Sequence, residues 1–204
     1  MSAPRYPVTG FVLAGGKSSR MGADKAELSL DGRTLLEHAF GAVRSVCGEA
    51  LIIGSRARYG SFGPGYEDIY PDCGPLSGVH SALTYSQTEW NLIIAVDTPF
   101  LKPELLRYLI ERASSVSDTV VAPKIGGIVQ PLCAVYSRKF LSIAQAALEA
   151  GKYKLEPLFP RDSTLVVQEE QLKQFAFIAE MFENLNTPED LERARKRSST
   201  GWNR

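Results

Sequence analysis

Val12-Leu13-Ala14-Gly15-Gly16-Lys17-Ser18-Ser19-Arg20-Met21-Gly22-Ala23-Asp24-Lys25 runs from an apolar segment through a double glycine into a loop with cationic side chains at Lys17, Arg20 and Lys25. The residues leading into it, Val8 to Ala14, are mostly apolar and partly β-branched, as expected of a strand buried on both faces of a parallel sheet. The glycine loop then sits at the carboxyl end of that strand, where open parallel sheets bind their ligands. Gly15 and Gly16 let the backbone turn freely and expose amide N–H groups that a Cβ would shield. With only Asp24 opposing the three cations, the loop reads as a cradle for an anion, most simply a phosphate.

Two familiar phosphate loops do not fit. Gly16-Lys17-Ser18 copies the end of a P-loop, but the first glycine of that motif falls on Phe11, and Gly10 is one place off. The dinucleotide spacing G-x-G-x-x-G is absent because Gly15 and Gly16 are adjacent.

Moving outward, 204 residues at 44% hydrophobic suffice for a sizeable core and read as one large domain. The net charge is zero, so no global basic field draws nucleic acid or an anionic membrane, and phosphate binding must come from a local cluster. The longest strongly apolar runs, such as Leu92 to Val96, fall far below the ~20 residues needed to cross a bilayer. Met1 to Pro7 has no signal-peptide core, which predicts a cytoplasmic protein. Cys47, Cys73 and Cys133 are widely spaced and form no C-x-x-C pair, arguing against a disulfide framework or a zinc site; with only His38 and His80, a histidine-based metal site is equally poorly supported.

Strand-like and helix-like segments alternate over the first 150 residues, the pattern of a doubly wound, mostly parallel sheet in a three-layer α/β/α fold. Thr34 and Glu37 form a capping box ahead of Leu36, Ala39, Phe40 and Val43 at helical spacing. Strands are expected at Ala50 to Ile53, Trp90 to Val96, Val120 to Pro123 and Ile128 to Tyr136, and helices from about Val79 to Ser86 and from Arg138 to Ala150. Gly54 to Gly65 reads as loop. Beyond Gly151, Lys152-Tyr153-Lys154 starts a short helix-like piece, Leu165 to Val167 and Ala176 to Ala179 are candidate edge strands, and Thr187-Pro188 opens a last helix.

Three further positions could carry chemistry. Asp97 ends an apolar strand, which holds a carboxylate at the sheet edge beside the glycine loop, a good position for Mg²⁺, which accepts one or two carboxylates plus phosphate oxygens and water; the alternative is a cap on the turn before the next helix. Asn184 and Asn186 alternate in an extended segment, so one of them would face such a metal unless both serve turn hydrogen bonds. Asp68 is either a surface acid or an acceptor for the N1 and N2 edge of guanine, which cytosine and uracil lack.

In combination, Leu13-Ala14-Gly15-Gly16 through Arg20-Met21-Gly22 with Asp24-Lys25, then Gly74-Pro75-Leu76-Ser77-Gly78, Asp97-Thr98-Pro99 and Asn184-Leu185-Asn186-Thr187-Pro188 closely resemble the molybdenum cofactor guanylyltransferase (MobA) family. The resemblance spans most of the chain in the right order, and the double glycine is more like the guanylyl enzymes than the related cytidylyl ones. It implies a single nucleotidyltransferase domain over residues 1–204, with a nucleotide-binding half at about 7–110 and an acceptor-binding half at about 111–197. It also implies Mg²⁺ as cofactor, GTP and molybdopterin as substrates, and transient contact with molybdoenzyme assembly proteins. By the same resemblance Leu13, Ala14, Gly15, Gly16 and Gly54 lie near the nucleotide, Arg20 and Lys25 on its phosphates, Asp68 near guanine and Asp97 on the metal, with Arg20, Lys25 and Asp97 catalytic. Gln130, Pro131, Lys154, Asn184 and Asn186 fall on the acceptor side.

Two positions depart from the family pattern. Gly54 stands where some members have an asparagine near the base, leaving Ser55 or a backbone group for that contact. Lys152-Tyr153-Lys154 replaces an arginine-rich turn, keeping charge but losing the bidentate guanidinium fork. The implied reaction is in-line displacement at the α-phosphorus of GTP with no protein nucleophile. Alternatives are a molybdopterin cytidylyltransferase or another nucleotidyltransferase on the same fold, or a GTP-binding module without catalysis.

Overall fold

The computed structural model describes residues 5–15, 24–177 and 179–199. The apolar stretch before the double glycine is β1 (Tyr6–Leu13), and its alternation divides the molecule. Val8, Val12 and Ala14 join the core cluster on one face of the sheet, while Phe11 and Leu13 join the cluster on the other. Both faces are buried because a helical layer covers each.

The elements after β1 are β2 (Ser29–Leu30), β3 (Arg33–Thr34), α1 (Leu35–Val46), β4 (Cys47–Ile53), α2 (Arg56–Tyr59) and β5 (Gly65–Tyr66). Then come α3 (Pro75–Tyr85), β6 (Trp90–Ala95), α4 (Pro103–Ser114), β7 (Val120–Ile125), β8 (Ile128–Val129), β9 (Cys133–Ser137) and α5 (Phe140–Glu149), with β10 (Thr164–Val167), α6 (Glu169–Lys173) and α7 (Pro188–Ser199) at the end. The sheet order is β10-β7-β9-β6-β1-β4-β5, with β8 paired to β7 alone. On this path β9 runs antiparallel to both its neighbours and the other pairings are parallel, so the sheet is mostly parallel and three-layered as expected.

The capping box at Thr34 and Glu37 is present and starts α1. Leu35, Leu36, Ala39, Phe40, Val43 and Val46 then form one buried face, each larger side chain contributing about 1.5–3 kcal/mol of transfer free energy. α1 and α4 cover one face of the sheet, and α3 and α5 the other. No helix among the described residues is long and apolar enough to cross a membrane.

Several local expectations need correction. The helix expected from Val79 begins at Pro75, because proline at the first helical position needs no hydrogen-bond partner for nitrogen. Lys152-Tyr153-Lys154 is not helical; only Glu156–Leu158 forms a 3₁₀ turn. Leu165 to Val167 is the edge strand β10, whereas Ala176 breaks any strand at its position with φ 58 and a 3₁₀ turn covers Ala179–Phe182. The Gly54 to Gly65 loop contains the short helix α2.

Candidate active site

Three parallel strands end in register. Leu13 lies beside Ile53 of β4 on one side and Ala95 of β6 on the other. The alignment continues past the strands: Ala14 N–H donates to the Ile53 carbonyl (2.9 Å) and Val96 N–H to the Leu13 carbonyl (3.2 Å). The loops after β1, β4 and β6 therefore leave the sheet side by side, where parallel sheets place ligands. Leu13 and Ala14 are buried, but Gly15 is exposed and a Cβ there would meet nothing within 4 Å. Packing among the described residues does not demand this glycine, and a backbone without a Cβ lets a ligand approach closely. Gly16 and Arg20 lie outside the described residues.

Lys25 opens a 3₁₀ turn, Lys25–Glu27, capped by the Asp24 side chain at the Ala26 N–H. Its ammonium lies 3.3 Å from Asp97 Oδ2 and 2.5 Å from Asn186 Oδ1, joining three distant parts of the chain at one point. The Lys25 and Asp97 side chains are only 21% and 19% exposed, so solvent screens this pair less than a surface ion pair. Asp97 is free for this role because Thr98 shapes the turn instead, donating its hydroxyl to the Ala95 carbonyl at 3.0 Å.

Asn186 is placed by two links. Leu185 N–H donates to the Asp97 carbonyl at 2.9 Å, and the Asp190 carboxylate accepts from the N–H groups of Asn186 and Thr187, both at 2.9 Å. These bonds, led by that from the Asn186 amide, hold the Asp190 pKa below its ordinary value. Asn184 is exposed, so of the two asparagines only Asn186 reaches the Lys25–Asp97 pair.

Asp68 lies between β5 and α3, half-buried. Its Oδ1 accepts from the hydroxyls of Ser77 and Ser81 (2.8 Å for the latter) and from Tyr70 N–H at 3.3 Å, while Oδ2 takes no hydrogen bond from the described residues. Ser77 and Ser81 are one helical turn apart, so both reach the same oxygen. The Gly74-Pro75-Leu76-Ser77-Gly78 motif thus has local reasons. Gly74 adopts φ 71 ahead of the helix, Ser77 fixes Asp68, and a Cβ at Gly78 would come within 2.9 Å of the Leu13 side chain.

Gly54 donates its N–H to the Tyr66 carbonyl at 2.9 Å, and a Cβ there would lie 2.9 Å from the Tyr59 ring. Ser55 is exposed and makes no side-chain cap to α2. Gln130 and Pro131 occupy the loop into β9; Gln130 N–H bonds the Pro123 carbonyl (2.8 Å) and the Pro131 carbonyl accepts from Tyr136 hydroxyl (2.7 Å). The next residue, Leu132, accepts from Ala95 N–H at 2.9 Å, which brings this loop to the sheet edge that carries Asp97. Lys154 is exposed just before buried Leu155, and no hydrogen bond or ion pair joins it to the Asp97 cluster among the described residues.

The supporting residues carry weaker sequence signals than the residues they hold. Ser77 and Ser81 could have been found from their four-residue spacing, and Asp190 from its place three residues after the Thr187 cap. Tyr59 and Arg58, which bond Asp24, carry no such signal.

Asp97 Oδ2 and Asn186 Oδ1 both meet the Lys25 ammonium, and one carboxylate with one amide oxygen is a donor set that suits a Mg²⁺ ion completing its shell with phosphate and water. No group of three or more His, Cys, Asp or Glu side chains suited to a metal exists among the described residues, so the protein alone offers no closed cage.

Comparison with known proteins bears on this arrangement. Residues 10–164 match the family model described as the MobA-like NTP transferase domain. The probable molybdenum cofactor guanylyltransferase of Pelotomaculum thermopropionicum is 37% identical over 190 residues, covering 92% of this chain and 91% of the relative. The molybdenum cofactor guanylyltransferase of Desulfosudis oleivorans is 34% identical over 190 residues, with 92% and 94% covered. The crystal structure of molybdopterin-guanine dinucleotide biosynthesis protein A from Archaeoglobus fulgidus superposes with a TM-score of 0.83 at 25% identity, covering 95% of this chain and 100% of that one.

Proposed function

The chain belongs to the MobA-like NTP transferase family, and from that premise we propose that it moves GMP from Mg-GTP to the terminal phosphate of molybdopterin, releasing pyrophosphate. The observation that carries this reading is the meeting of Lys25, Asp97 and Asn186 at the shared carboxyl edge of β1, β4 and β6.

A terminal phosphate oxygen of the pterin attacks the α-phosphorus, a new P–O bond forms, and the bond from the α-phosphorus to the bridging oxygen breaks as pyrophosphate leaves. The displacement needs no protein nucleophile; it needs positioning and charge neutralisation. The Gly15 N–H, at the end of β1, would donate to a phosphate oxygen. An ammonium has three N–H donors, so Lys25 can exchange one of its bonds for a phosphate oxygen as the triphosphate seats. Asp68 offers Oδ2 to the N1 and N2 edge of guanine while the two serines hold Oδ1. Gln130 and Pro131 line the acceptor side. Asp97 and Asn186 are the oxygens that would hold Mg²⁺, which supplies further neutralisation at the phosphates. In this reading the enzyme works in the cytoplasm, where GTP is available, and passes its product on through transient contact with molybdoenzyme assembly proteins.

The test is a GMP-transfer assay with molybdopterin, GTP and competing CTP. We expect acceptor-dependent pyrophosphate release with GTP, falling about a hundredfold in Lys25→Ala and Asp97→Ala, equivalent to roughly 3 kcal/mol of lost transition-state stabilisation. A preference for CTP would overturn the base assignment, and near-parental transfer in either variant would overturn the site.

A further inference from the structure

We propose that Tyr59, acting through Asp24, is a positioning residue for Lys25 and ties the phosphate-binding turn to the loop after β4. This rests on Lys25 contacting nucleotide phosphate.

Asp24 and Lys25 are adjacent, yet they serve opposite sides of β1. Lys25 reaches Asp97, which lies just past β6, while Asp24 reaches Arg58 and Tyr59 of α2, which lies just past β4. Since β6 and β4 flank β1, the turn straddles the end of the central strand and is held from both sides. Asp24 Oδ1 accepts from Ala26 N–H at 3.0 Å, and Oδ2 accepts from Arg58 Nη1 and from the Tyr59 hydroxyl, each at 2.6 Å. One carboxylate thereby fixes both the shape of the turn and its distance from the neighbouring loop.

Electrostatics gives the clamp a second purpose. An unrestrained carboxylate next to Lys25 would repel a triphosphate. Here the Asp24 side chain is 12% exposed and is neutralised by Arg58 on the side of β1 remote from Asp97. The two donors are not equivalent: the Arg58 side chain is 55% exposed and is shared with Glu27 (3.6 Å), whereas Tyr59 is 5% exposed. Burial, then the bond to Asp24, push the Tyr59 pKa well above the usual phenol range, so the hydroxyl remains a donor at neutral pH.

The Tyr59 ring also needs its hydroxyl bond to stay in place. One edge rests where a Cβ of residue 54 would be, and Gly54 alone leaves that space. A cavity of about 140 Å³ lined by Gly54, Ser55, Tyr59, Gly63 and Gly65 borders the ring, giving it room to shift when the hydroxyl is removed.

The experiment is a double-mutant cycle on Mg-nucleotide affinity, measured by calorimetry without acceptor for the parent, Tyr59→Phe, Lys25→Ala and the double variant, with GTP, CTP, UTP and ATP. For the nucleotide the parent binds best, Tyr59→Phe should raise Kd about five- to tenfold, while the double variant should match Lys25→Ala within about twofold, because a positioning residue has nothing left to position. Arg58→Met, at an exposed site that leaves the fold intact, should show a smaller loss with the same non-additivity. Additive losses, or a Tyr59→Phe effect below about twofold, overturn the inference. If the parent prefers a nucleotide other than GTP, the guanine assignment falls while the cycle still decides the clamp. If it binds none, the clamp falls as well.

Discussion

Asp68→Asn tests the proposed guanine contact apart from support of the fold. The three donors on Asp68, from Ser77, Ser81 and Tyr70, all converge on Oδ1. An asparagine can present its amide oxygen to the same donors, so the framework loses only the extra strength of a charged acceptor, together about 1–2 kcal/mol. For a chain of this size that corresponds to a melting temperature lower by about 3–6 °C. At the other oxygen the change is severe, because an NH₂ group replaces Oδ2 and meets the N1 and N2 donors of guanine with donors of its own. Two hydrogen bonds to a charged acceptor are lost at about 1.5–3 kcal/mol each, which predicts a decrease in kcat/KM for GTP of roughly 10²–10⁴-fold. Inosine triphosphate keeps N1–H but lacks the N2 amino group, so the parent should use it about tenfold or more less well than GTP, and Asp68→Asn should nearly abolish that difference. The measurements are GMP and IMP transfer to molybdopterin, with thermal melts of both proteins. If Asp68→Asn lowers transfer of both nucleotides equally and leaves their ratio intact, Asp68 acts only through Ser77 and Ser81 and the guanine contact is refuted.

Gly54→Ala places a methyl group 2.9 Å from the Tyr59 ring, which its hydroxyl bond to Asp24 holds, at φ 155, and should cost roughly 2 kcal/mol, seen as a melting temperature lower by about 6 °C; an unchanged melt would show that the ring shifts into the bordering cavity despite that bond. The Asp190 pKa is lowered in the folded state, so its contribution to stability is present above the unfolded carboxylate value and is lost as pH falls through the folded one. Melts of the parent and Asp190→Asn should therefore differ at neutral pH and converge in strong acid, while GMP transfer of the variant at pH 7 drops because Asn186 loses its anchor; parallel melting curves across pH would count against this. Burial pushes the Cys47 and Cys133 thiols up to about 12, whereas Cys73 is partly exposed. A thiol reagent at pH 8 should titrate one cysteine in the native protein and three after denaturation, and rapid reaction of a second native thiol would contradict the packing.

Much of the fold was legible because its signals are local. The apolar alternation of β1, the Thr34–Glu37 box and the apolar run of β6 each lie within about a dozen residues and need no partner to be recognised. Legibility failed where tertiary contacts decide conformation. Ala176 takes φ 58 between Phe175 and Phe177, whose rings pack around Tyr108 of a distant helix, and no propensity at that position signals it. Similarly, Lys152 to Lys154 looked helix-like but is a non-helical lead toward Leu155, which is buried beside α3 and α5, with the Lys152 N–H bonded back to the Ala147 carbonyl at 2.8 Å.

The site divides along the same line. Asp97 was visible as an acid ending an apolar strand; the turn contact belongs to the Thr98 hydroxyl within the same motif, and the Asp97 carboxylate meets Lys25 instead. The choice between Asn184 and Asn186 was not visible, because it depends on a partner 161 positions away: the Leu185 amide docks on the Asp97 carbonyl, and the Asp190 carboxylate holds the amides of Asn186 and Thr187. An extended pair of asparagines has two faces, and only this docking decides which one meets Lys25. The same reasoning explains why Asp24 seemed merely to oppose the cations of its loop. Beside Lys25 in sequence, it is an adverse charge; bonded to Tyr59 and Arg58 across β1, it becomes the post that holds Lys25 in place. Which partners its carboxylate meets is therefore set by strand order, which puts β4 and β6 on opposite sides of β1, and not by its proximity in the chain.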